Sequence, residues 1–64
     1  MFPNIETEQA RRGHSDESVA EKLGMTGQAY RRCKKSGAFR AEEVVALAEM
    51  YEKSMDYLLT VRAG

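Results

Sequence analysis

The feature that most restricts what this chain can become is a corner in its first half. In the stretch SDESVAEKLGMTGQAYRRCKKSG, residues 15–37, two short amphipathic runs meet at Gly24-Met25-Thr26. Ser15 is suited to N-cap the first run, and Asp16 and Glu17 fall in its first turn, where the helix dipole favours negative charge. Val19, Ala20 and Leu23 share one narrow apolar face. Gly24 suits the left-handed residue just past a helix end, a conformation that a sharp bend demands and that glycine adopts without penalty. Thr26 then caps the second run, GQAYRRCKK. That run turns Ala29, Tyr30 and Cys33 inward and leaves Gly27, Gln28, Arg31, Arg32, Lys34 and Lys35 facing out or sideways. Ser36 and Gly37 end it.

Helical spacing continues on both sides of the corner. Pro3 and Asn4 mark a helix start, and IETEQARR forms a first helix ended by Gly13, with a thin apolar stripe of Ile5 and Ala10 after Phe2. RAEEVVALAEMYEKS reads as a fourth helix, with Val44, Leu47, Ala48 and Tyr51 in an i, i+3, i+4, i+7 stripe and Glu42 and Glu43 in its first turn. Ser54 caps a short fifth helix, MDYLLTV, with Met55, Leu58 and Leu59 apolar, and the final RAG is expected to fray. No strand-like alternation persists and nothing repeats. The expected class is all-α, five helices in a single domain spanning residues 1–64.

A chain of 64 residues buries only about 60% of its unfolded surface, so it stands on a small apolar core, helped where needed by a partner chain. One Cys excludes an intramolecular disulfide, and with one His it falls short of the roughly four ligands of a structural zinc site; no metal and no cofactor are expected. No apolar run approaches the roughly 20 residues of a membrane span, and MFPNIETEQARRG lacks the basic and apolar regions of a secretory signal, so the expected location is the cytoplasm, with no membrane partner. No Ser/His/Asp or Cys/His set and no phosphate-cradling glycine loop is present, which argues against an enzyme.

The formal net charge is zero, which by itself speaks against nucleic acid as a partner. The distribution says more. Residues 1–24 carry five acids and three bases, residues 41–64 carry five acids and two bases, and residues 25–40 carry five bases and no acid. Those five are Arg31, Arg32, Lys34, Lys35 and Arg40. Gathered on one face they attract phosphate; the plainer alternative is that they are the solvated face of a small helix.

Two short helices joined by a three- to four-residue turn containing glycine form a helix-turn-helix unit, here about residues 15–36. Ala20 is small where the second helix must cross close over the first. This stretch resembles the DNA-binding core of the lambda-repressor-like family (Cro/repressor-type, also called XRE-type). NIETEQARRG before it and VVALAEMYEKSMDYLL after it are similar to that family's first, fourth and fifth helices, and KSMDYLL resembles the closing segment of phage and bacterial regulators of this type. The resemblance extends over nearly the whole chain, from about Asn4 to Leu59. It is incomplete at four positions. The family's usual Gln at the first residue of the second helix is Asp16 here. Its aromatic-Glu at the end of the third helix, and the first-helix Arg that pairs with that Glu, are Cys33, Lys34 and Gln9. The ion pair is thus missing as a unit, which costs less than losing one partner.

The resemblance implies a DNA-binding transcriptional regulator, repressor-like, with a recognition helix at about 27–35 in the major groove. Gly27, Gln28, Arg31 and Arg32 take the positions that reach base edges: Gln28 matches adenine, and Arg31 or Arg32 matches guanine. Gly27 offers close backbone approach, and Thr26 a hydroxyl and backbone N–H groups to a phosphate. Lys34, Lys35 and Arg40 are expected on phosphates. Asp16 would repel phosphate or accept from a cytosine amine. The expected assembly is a homodimer on double-stranded DNA, with Leu59 and Val61 candidates for its surface. The alternative is a protein-interaction module on the same scaffold, an antitoxin or antirepressor; Asp16 and the zero net charge favour it, the unbroken basic stretch favours DNA. His14 is expected to pack a helix end and Cys33 to be a half-buried small apolar residue. For Arg11 and Arg12, capping of the first helix and backbone-phosphate contact both stand.

Overall fold

In the computed structural model, which describes residues 1–61, five helices follow one another with no strand among the described residues: α1 (Pro3–Arg11), α2 (Asp16–Leu23), α3 (Gly27–Ser36), α4 (Ala41–Tyr51) and α5 (Met55–Leu58). Ile5, Val19, Ala20, Tyr30, Leu47, Tyr51 and Leu58 bury one another, so every helix contributes to one core. Phe39, in the segment between α3 and α4, packs against that core, its ring centroid 6.2 Å from those of both Phe2 and Tyr30. No described helix is long and apolar enough to cross a membrane.

Local chemistry explains where most helices begin. The side-chain oxygens of Ser15, Thr26 and Ser54 accept from the backbone N–H groups of Ser18, Ala29 and Tyr57, each at 3.1 Å, satisfying donors that the first turn leaves orphaned. At α4 the cap is reversed: the Arg40 N–H donates to Glu43 Oε1 at 2.8 Å. Between α2 and α3, Gly24 takes φ 74°, and the Met25 N–H reaches back to Ala20 O at 2.9 Å.

Three helix assignments are corrected. The fourth helix stops at Tyr51 rather than Ser54, because Glu52 adopts a left-handed φ of 54° and closes its N–H on Ala48 O, freeing Ser54 to cap α5. The fifth is one turn, not MDYLLTV. Leu59 leaves the helical region, and the Thr60 hydroxyl bonds Asp56 O at 2.8 Å, the kind of local side-chain bond that competes with helix. The expected fraying of RAG lies outside the described residues. In α1, Ala10 is exposed, and the inward face is Ile5 with two polar residues, Glu8 and Gln9.

Glu8 is buried because its carboxylate is fully partnered. It accepts from the Arg12 guanidinium and from the Tyr57 hydroxyl at 2.8 Å, with Arg11 Nη1 at 3.6 Å. The Tyr57 hydrogen bond, assisted by Arg12 against the opposing effect of burial, holds the Glu8 carboxyl below the usual range. Arg12 also donates to Tyr51 O at 2.9 Å and lies over the Tyr51 ring. The expected capping of the first helix by Arg12 is corrected: its guanidinium caps the end of α4 instead. His14 packs a helix end as expected, its ring stacked on Tyr51 at 6.0 Å.

A Cβ on Gly24 would meet nothing within 4 Å, so Gly24→Ala isolates the backbone penalty of the corner. It is expected to destabilise by about 1–2 kcal/mol, read as a lower urea midpoint with unchanged slope. Leu47→Ala, which empties a site of zero exposure, is expected to cost about 2–5 kcal/mol, enough to leave so small a domain largely unfolded at 37 °C by circular dichroism.

Candidate nucleic-acid interface

Helix α3 has one buried side chain, Tyr30, and an opposite surface open to solvent. Gln28, Arg32 and Lys35 follow at i, i+4 and i+7, so they line one face, and all three are exposed. Arg32, Lys35 and the loop residue Arg40, also exposed, have no carboxylate within ion-pair distance among the described residues. The Thr26 hydroxyl oxygen already accepts from Ala29 N–H, so what it retains for an incoming acceptor is its proton.

Lys34 departs from expectation. Rather than reaching outward, its ammonium donates to Asp16 Oδ1 at 2.7 Å, Glu6 Oε1 at 3.0 Å and Gln9 Oε1 at 3.4 Å, and its side chain is 13% exposed. It also lies 5.0 Å from the Tyr30 ring centroid. Burial alone would make this ammonium easier to deprotonate, but the hydrogen bonds to Asp16 and Glu6 outweigh it and leave the pKa raised. Its three donors are thus engaged within the protein, which removes it from the outward face of α3.

Asp16 is redirected for the same reason. Its Oδ1 accepts from Gln9 Nε2 at 2.9 Å as well as from Lys34, and these two bonds, the Gln9 bond first, hold its carboxyl below the usual range. Both bonds fall on Oδ1, so cytosine recognition by Asp16 is left to Oδ2, which lies 3.8 Å from Arg31 Nη1. Gln9 completes the cluster, donating to His14 O at 3.1 Å and accepting from the Tyr30 hydroxyl at 2.7 Å. Gln9, Asp16 and Lys34, on α1, α2 and α3, are three of the four departures from the family pattern, and they form one hydrogen-bonded unit. The signal that links them is sign: an acid opening α2 and a base near the end of α3 are complementary.

Arg31 is intermediate. It is half exposed, with Nη1 2.7 Å from Glu17 Oε2 and 3.8 Å from Asp16 Oδ2. The Glu17 side chain lies over the start of α3, where a Cβ on Gly27 would come within 3.2 Å of Glu17 Oε2. The missing side chain at Gly27 therefore makes room for Glu17, an occupant that sequence reading did not identify. Cys33 is half-buried and free, as expected. Away from α3, Leu59 and Val61 are exposed.

In comparisons with known protein families, curated proteins and solved structures, nothing matches the chain.

The depressed Asp16 and Glu8 carboxyls set a pH dependence. Because their folded pKa values lie below the unfolded values of about 3.9 and 4.3, the stability they contribute is present above that range and lost as pH falls through the folded values. Asp16→Asn is accordingly expected to be less stable at pH 7 and to lose less further stability between pH 5 and pH 2, measured by urea unfolding across that range.

Proposed function

We propose that this chain is a sequence-specific DNA-binding transcriptional regulator of the lambda-repressor-like helix-turn-helix type, with α3 as recognition helix in the major groove. The observation that carries the reading is the composition of one face of α3. Gln28, Arg32 and Lys35 are exposed in helical register, and the two cations among them lack carboxylate partners within the described residues. The buried Tyr30 behind that face and the left-handed corner at Gly24 before it are what a helix presented to a groove needs.

In this reading Gln28 addresses adenine and Arg32 guanine through paired hydrogen bonds, each worth about 1–3 kcal/mol of discrimination. Lys35 and Arg40 contact phosphates, and Arg31 joins whichever group displaces Glu17. Lys34 and Asp16 hold α3 in place rather than touching DNA. The assembly is a homodimer on a two-fold site with half-sites about 34 Å apart. Leu59 and Val61, 37% and 59% exposed, favour the end of α5 as its surface.

The internal pairing of Lys34 and Arg31 favours the second reading, a protein-interaction module on the same scaffold, because it leaves fewer cations for phosphate. Salt dependence separates the two. For a DNA binder the logarithm of affinity falls linearly with the logarithm of salt, and Lys35→Gln should reduce the slope by about 0.9 per chain. Arg32→Ala is expected to weaken a duplex selected from a random pool by about 1–3 kcal/mol more than it weakens random duplex. Absence of retention on either duplex at low salt, with the protein folded by circular dichroism, leaves the interaction module standing.

A further inference from the structure

We propose that Glu17 is an internal stand-in for a DNA phosphate: it holds Arg31 in the free protein and yields it to the nucleic-acid backbone on docking. The inference rests on the DNA-binding reading and concerns how that site is regulated. Among the exposed cations of α3, Arg31 differs from Arg32 and Lys35 in having carboxylate neighbours, Glu17 Oε2 at 2.7 Å and Asp16 Oδ2 at 3.8 Å. The Arg31 and Glu17 side chains are 50% and 70% exposed, and pairs so open to water are weak, so exchanging one anion for another costs little.

Location adds the second argument. Glu17 lies over Gly27, the first residue of α3, with its carboxyl oxygen 3.2 Å from where a Cβ would stand. A negative group over the opening turn of a ten-residue helix holds the place that a phosphate would take there. A duplex approaching α3 brings its own anions into that space and repels the carboxylate. Glu17 is free to swing away, since its side chain is exposed on α2. Asp16 is not, because Lys34 and Gln9 hold it. Arg31 then presents its planar fork to a phosphate. Until docking, the pair lowers the attraction of α3 for any polyanion, so Arg31 contributes in the docked complex and little in loose encounters.

A double-mutant cycle tests this, using Glu17→Gln, Arg31→Gln and both together. Glu21→Gln serves as the charge-matched control, since Glu21 is an exposed acid of α2 without an ion-pair partner among the described residues. The readout is the dissociation constant for a pool-selected duplex by fluorescence anisotropy, with folding checked by circular dichroism. Glu17→Gln is expected to tighten binding about two- to five-fold beyond Glu21→Gln, and that gain should shrink when Arg31 is Gln. Equal effects of Glu17→Gln and Glu21→Gln, or an undiminished gain without Arg31, overturn the proposal while leaving DNA binding intact. If wild type and every variant are folded and bind no duplex, the DNA-binding reading falls, and this proposal with it.

Discussion

The buried side chain of Gln9 is the contact on which the arrangement of the first three helices depends. Its amide nitrogen donates to His14 O and Asp16 Oδ1, and its oxygen accepts from the Tyr30 hydroxyl and from Lys34. All four hydrogen-bonding valences of the amide are therefore used, at a residue only 7% exposed. Leaving one such group unpaired costs about 1–3 kcal/mol, so the partners on α2 and α3 are held by the cost of moving them as much as by their attraction. The orientation of α3, and with it every exposed side chain proposed to meet DNA, is tied to α1 through this amide.

A second node does the same for the other half. Glu8, one residue earlier on α1, gathers Arg12 and Tyr57, while Arg12 reaches the last carbonyl of α4 at Tyr51, and Asn4 donates to Tyr57 O at 2.8 Å. Helix α1 thus acts as a polar strut with consecutive buried residues serving opposite ends of the domain. A cluster of seven mutually packed apolar residues is small for five helices, and two hydrogen-bonded polar clusters supply direction that a few apolar contacts do not.

Folding also reassigns the charge. The five bases between residues 25 and 40, with no acid among them, look like a uniform cationic segment, yet Lys34 is drawn inside by Asp16 and Glu6, and Arg31 is paired with Glu17. What remains without a carboxylate partner among the described residues is Arg32, Lys35 and Arg40. For the proposed regulator this division lowers the general attraction to phosphate, because fewer cations are free to act on it.

The caps at Ser15, Thr26 and Ser54, the bend at Gly24 and the Val44-Leu47-Tyr51 stripe were legible in the sequence because each depends on residues within one or two turns of itself. Helix ends at Glu52 and Leu59 were less so, since neither residue type announces a stop. The polar clusters left little trace in the sequence beyond the opposite signs of Asp16 and Lys34: Gln9 meets Tyr30 and Lys34 across 21 and 25 residues, and Glu8 meets Tyr57 across 49. The sequence by itself determined an all-helical chain with a sharp corner and a basic third helix, since helical periodicity and caps are short-range. Only the tertiary structure decided which of those bases face water and which serve the interior, because a charge takes whatever partner the packing of distant helices brings within hydrogen-bonding reach.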